Sequence, residues 1–151
     1  MSNLRGISIE NRTIGDNRSL SRDLAYHIQS RYNCGKIAVV TDNPVALLSS
    51  VRKQWLRLIR LTERERASTL DSQRKYELDQ DIWRMRNINF TAQDPSNDPI
   101  AFISFATVEQ FRLFPPLCST LYIVGAIETI DKHMLTGWMP QNGVVVIYDQ
   151  G

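Results

Sequence analysis

The sequence predicts an α/β fold: a single three-layer domain, with a mostly parallel sheet of four or five strands and a long helix or helical hairpin inserted after the first strand. Three observations carry this expectation. Apolar, β-branched runs of strand length recur at "KIAVVTD" (36–42), "IAFISF" (100–105), "TLYIVGAI" (120–127) and "VVVIYD" (144–149). Such runs are too continuous for strands with one wet face and suit a sheet covered on both sides. Helical stripes alternate with them, as in a βαβ chain. Between residues 45 and 94 there is neither Gly nor Pro, so nothing in that span breaks a helix by composition.

Taken in order, residues 1–18 are polar, include Gly6 and Gly15, and read as a flexible or partly ordered leader to a domain over 19–151. Ser19 precedes Leu20, Leu24 and Ile28, an i, i+4, i+8 stripe of a short amphipathic helix that Asn33 and Gly35 end. After the strand at 36–42, Asn43 is a good N-cap, and Pro44 falls at the first helical position, where a missing N–H costs nothing. Leu48, Val51, Trp55, Leu58 and Thr62 then share one helix face. A single helix over 44–86 would be about 60 Å long, against roughly 35 Å for the width of such a domain. A break is therefore expected at Ser68–Ser72, followed by a second arm with Leu78, Ile82 and Met85 inward.

"NINFTA" (87–92) reads as a short strand antiparallel to its successor, or as no strand, because the loop Gln93–Pro99 is too short for a helical crossover. A short helix through Val108, Phe111 and Leu113 stops at Pro115-Pro116. A last helix carries Ile130, Met134, Leu135 and Trp138, and Asn142-Gly143 turns the chain into the final strand.

Composition excludes little. With 151 residues, 42% hydrophobic, 23% charged and a net charge of +2, the chain is an ordinary globular one whose charge matters only through its distribution. Cys34 and Cys118 lie far apart without metal-ligand spacing and read as two thiols rather than a disulfide. No apolar run has the length of a signal peptide or a membrane span, which gives a cytoplasmic, non-membrane expectation, with no cofactor and no metal.

Gly35-Lys36 has the letters of a phosphate loop but not its order, since it follows a helix and precedes a strand. Asp42, Ser104 and Glu128, near predicted strand ends, form the candidate ligand cleft, because parallel sheets gather ligands there. The outline of "FISFATVEQF" and "LYIVGAIETID" resembles one lobe of a RecA-like ATPase, yet the phosphate loop and the acidic pair that would hold magnesium are both absent. The resemblance therefore implies no nucleotide chemistry. His27 and His133 read as isolated helix residues, and no catalytic residues are assigned.

The main functional signal is a basic row. Lys53, Arg57, Arg60 and Arg64 share one side of the first long helix, and a solvated face with local Glu–Arg pairing is the competing expectation. Trp83, in the mixed-charge second arm, is an interface anchor if exposed and core if buried. The leading expectation is a non-catalytic binding or assembly module that meets a protein partner or itself through the helical insertion. The alternatives are a nucleic-acid accessory protein using the basic face, and a ligand-binding domain or enzyme at the strand ends.

Overall fold

The computed structural model describes residues 6–14, 16–92, 103–125 and 130–149. Its centre is β2 (Ile37–Thr41), the run predicted to be covered on both faces, and all five of its residues are buried. Ile37 and Val39 point into one core and Ala38 and Val40 into the other, the period-two alternation of a strand. Parallel neighbours flank it: β4 (Ile103–Ala106) on one side and β5 (Thr120–Val124) on the other. Beyond them lie β6 (Val144–Asp149), β1 (Ser8–Thr13) and β3 (Phe90–Thr91), giving the order β1-β6-β5-β2-β4-β3. Every pairing is parallel.

Helices cover both faces, which makes the three layers. The first core takes side chains from α1 (Asn17–Arg31), α2 (Pro44–Ser68) and α3 (Ser72–Asn87). The second takes them from α4 (Val108–Leu113) and α5 (Lys132–Trp138). No helix among the described residues is long and apolar enough to cross a membrane.

Three expectations need correction. The sheet has six strands, not four or five, because residues 8–13, inside the expected leader, form β1 on the edge of the sheet beside β6. The helical pair accordingly follows the second strand rather than the first. "NINFTA" contributes β3, and β3 runs parallel to β4, with Phe90 opposite Ile103.

The expected break is present. Thr69–Asp71 separates α2 from α3, with Asp71 accepting from Gln73 N at 3.0 Å as the new N-cap. The resulting hairpin is the covering layer between β2 and β3 rather than an appendage, because its apolar face is part of the core. Trp55 shows this most directly. Its indole is buried, donates from Nε1 to the Met85 carbonyl at 2.8 Å, and meets Tyr32 and Phe90 edge-on at centroid distances of 5.7 and 5.3 Å.

Trp55→Ala should cost about 3–5 kcal/mol, from the lost aromatic volume and the unpaired carbonyl of Met85. Trp55→Phe keeps most of the volume and should cost only about 1–2 kcal/mol. Urea unfolding followed by circular dichroism separates the two, and equal losses would mean that the hydrogen bond decides the effect.

Both cysteines are free thiols, Cys34 exposed and Cys118 buried in the second core. Burial pushes the Cys118 thiol up to about 12 from an ordinary value of 9.0. The folded chain therefore holds a proton that the unfolded chain releases above pH 9.0, so stability is whole below that pH and declines as pH rises toward about 12. A thiol reagent should modify one cysteine quickly in the native protein and two in denaturant. Cys118→Ala should flatten the alkaline decline in a pH series of urea melts.

Candidate functional site

The C-terminal ends of the strands are where a parallel sheet offers a ligand cleft. Asn43 caps α2 there, its Oδ1 accepting from Ala46 N at 3.3 Å, with Pro44 in the first turn as the sequence predicts. Asp42 is exposed beside Gly125, whose φ is +81°, and a Cβ on that glycine would stand 3.7 Å from Asp42 Oδ2. Thr107, at the end of β4, forms a capping box with Gln110. Ser104 is not at this edge. It is in register with Ala38, four residues before Asp42, which is about 13 Å along a strand. Glu128 lies outside the described residues. The predicted grouping of Asp42 with Ser104 is thus not assembled, because strand register separates them.

Gly35-Lys36 sits at the opposite edge, where β2 begins. Gly35 has φ +126°, and a Cβ there would come within 2.8 Å of Ser119 Oγ. That hydroxyl lies 3.2 Å from the carbonyl oxygens of both Cys34 and Lys36. Glycine is required here by a close backbone approach, and the pair is a joint between the turn after α1 and the sheet. Among the described residues, no three His, Cys, Asp or Glu side chains gather to hold a metal.

The helical layer gives a different picture. Lys53, Arg57, Arg60 and Arg64 are exposed and together line, with Leu61, one shallow concavity of about 420 Å³. Their axial rises of about 6, 4.5 and 6 Å place them in a near-straight row along α2. None has an ion-pair partner among the described residues. The acids nearest in sequence are engaged elsewhere: Glu63 accepts from Arg86 at 2.8 Å and Glu65 from Arg74 at 3.0 Å, both on α3. Arg66 completes this interhelical zip, donating to Asp79 at 2.9 Å. Local Glu–Arg pairing therefore does not neutralise the row. Sequence reasoning missed Arg22 on α1, which shares a smaller hollow with Arg57, Tyr26 and Gln54. Its place was not readable locally, because it depends on how α1 packs on α2.

Trp83 is exposed, at 67% of its surface, and lies between two concavities. One, of about 440 Å³, includes Tyr76, Gln80 and Arg84; the other, of about 230 Å³, includes Tyr32, Asn87 and Ile88. Tyr76 is exposed as well. On the other layer, Leu113, Phe114 and Leu117 are exposed around the two prolines that the sequence marks only as a helix stop.

A polar cluster joins β1, α1 and the central strands, and sequence reasoning did not find it. Asp23 accepts from Arg12 through both oxygens at 2.8 Å and from the Tyr148 hydroxyl at 2.8 Å. His27 Nδ1 stands 2.8 Å from the Tyr122 hydroxyl, and Glu10 pairs with Arg12 at 3.0 Å. Burial raises both phenols above their ordinary value, and for Tyr148 the hydrogen bond to Asp23 adds to it. The bond to Asp23 likewise raises the Arg12 guanidinium. The one usable signal was a tyrosine inside each fully apolar strand, since a buried hydroxyl needs a partner. No buried side-chain nitrogen or oxygen among the described residues lacks a hydrogen bond, so this cluster fastens the edge strand to its helix. Comparison with protein-family models, with curated proteins and with solved structures gives no match.

Proposed function

We propose that the chain is a non-catalytic, cytoplasmic binding or assembly module that meets a protein partner, or a second copy of itself, through the hairpin α2–α3, with Trp83 as its apolar anchor. One observation carries this reading: the two tryptophans of the hairpin are treated oppositely. Trp55 is buried with its N–H satisfied, whereas Trp83 leaves two thirds of its surface in water. An exposed indole is a large apolar area without cover, and residues of this type dominate the energetics of protein interfaces. Tyr76 extends the apolar surface one side of it, and the concavities on either flank supply relief into which a partner's side chains fit.

The carboxyl ends of the strands support a ligand-binding reading less well. Asn43 and Thr107 already spend their side chains on capping helices there, and Asp42 stands apart from Ser104.

Sedimentation velocity of the full chain, combined with affinity capture from cells that express it, tests the proposal. Trp83→Ala should leave the circular dichroism spectrum and the melting temperature within a degree or so, since exposed positions away from special features change stability by less than about 0.5 kcal/mol. It should also abolish a dimer, or remove specific proteins from the captured set. A monomer that captures the same proteins with and without the indole would defeat the reading.

A further inference from the structure

The unpaired cations on α2 point to a second binding surface, independent of Trp83. Asn43 to Thr62 contains no Asp or Glu, while Arg52, Lys53, Arg57 and Arg60 fall within it and Arg64 just beyond. Arg52, though exposed, is engaged, donating to the Phe90 carbonyl at 3.0 Å. The other four stand in the exposed row, with spacings i, i+4, i+7 and i+11 that put neighbours of like charge beside one another. Such a row repels itself. Elsewhere on the same hairpin Arg66, Arg74 and Arg86 each have a carboxylate at 3.0 Å or less, while Lys75 and Arg84 on α3 lack an ion pair among the described residues, as the row does. Interhelical pairs thus take up Glu63, Glu65 and Asp79, and the four cations of the α2 row are left without a counter-charge among the described residues. Arg22, across the hollow it shares with Arg57, widens that line from one helix to two.

We infer that the α1–α2 face formed by Arg22, Lys53, Arg57, Arg60 and Arg64 binds the phosphate backbone of double-stranded nucleic acid without reading its sequence. Charge sign requires an anionic partner, and geometry narrows the class. The row rises about 16 Å along the helix, long enough to meet several phosphates of a strand whose charges recur about every 3.4 Å along the duplex axis. Four of the five groups are arginines, whose planar fork of donors meets phosphate oxygens in pairs. Recognition of unpaired bases would need exposed aromatic rings among the cations. Trp55 faces the core, and among the described residues a single exposed ring, Tyr26, lies beside Arg22 and Arg57, too few to stack successive bases. A membrane surface would need one continuous apolar helix face free to enter lipid; Leu48, Val51, Leu58 and Ile59 of α2 are buried in the core, and the exposed Leu56 and Leu61 stand singly on opposite flanks of the row.

Fluorescence anisotropy with the full chain tests this, using a labelled DNA duplex of about 20 base pairs, the matching RNA duplex, the single strand and a poly-glutamate peptide. Five phosphate contacts give a slope of log affinity against log salt of about −4.5, so the affinity for duplex should fall roughly 500-fold between about 50 and 200 mM salt. Arg57→Gln combined with Arg60→Gln should reduce that slope by about two and weaken every duplex sequence alike. Lys75→Gln on α3, outside the row, should leave both unchanged, and circular dichroism checks that the variants remain folded. Comparing the DNA and RNA arms assigns the duplex type. No binding at low salt, binding that the double substitution leaves intact, or tighter binding of single strands or poly-glutamate than of either duplex would each overturn the inference.

Discussion

The buried indole of Trp55 fixes the placement of everything on the helical face. From one position on α2 it touches the end of α1 through Tyr32, the end of α3 through the Met85 carbonyl, and the sheet through Phe90. Phe90 in turn packs on Phe105 of β4 at a centroid distance of 6.4 Å. A large aromatic with one donor can make this junction because the ring supplies area and the N–H must find a fixed acceptor, which sets the rotation of the helix. With Trp55 inward, helical geometry at about 100° per residue sends Lys53, Arg57, Arg60 and Arg64 to the far side, about 140–200° around the axis. The basic row is therefore the obligatory complement of the core contact.

Charge within the hairpin follows from the same rotation. Glu63 lies three residues after Arg60, and an isolated helix would allow that pair to form, whereas Glu65 has no cation three or four residues away on α2. Once α3 docks, Arg86 and Arg74 take those two carboxylates instead. Exposed ion pairs of this type contribute little stability each. Their larger effect is on distribution, since they use the acids of α2 on the side facing α3 and leave the outer line without counter-charge.

Local chemistry made much of this legible in the sequence. The central strand, the Asn43-Pro44 helix start and the break near residue 70 each depend on a few neighbouring residues, and all stand in the structure. The edge strand β1 was not legible, because its pattern is mostly exposed and polar, and it is held by backbone pairing to β6 and by Arg12 reaching Asp23. The parallel sense of β3 was missed because the expectation rested on loop length alone, and strand direction is set by pairing across the sheet. For the candidate site, the row of cations was readable from spacing alone. That the row is unpaired, that Arg22 joins it and that Ser104 stands away from Asp42 are consequences of helix packing and strand register, which no local window contains.

An unopposed row on a stable helix implies that its self-repulsion is affordable in the free protein. At physiological ionic strength the Debye length is about 8 Å, longer than the axial steps of about 4.5–6 Å between successive cations. Screening between neighbours is then partial, and mobile anions must gather along the row to offset the rest. A partner carrying regularly spaced charges replaces those anions and releases them, so the repulsion stored along α2 becomes a driving force for association rather than a defect of the fold. In the proposed contact Trp83 would act by removal of apolar area from water, a contribution that salt scarcely screens. Under the two proposals, ionic strength would weaken a contact on α2 and leave one through Trp83 almost unchanged, so a polyanion could be held or released on α2 without loosening a contact on α3.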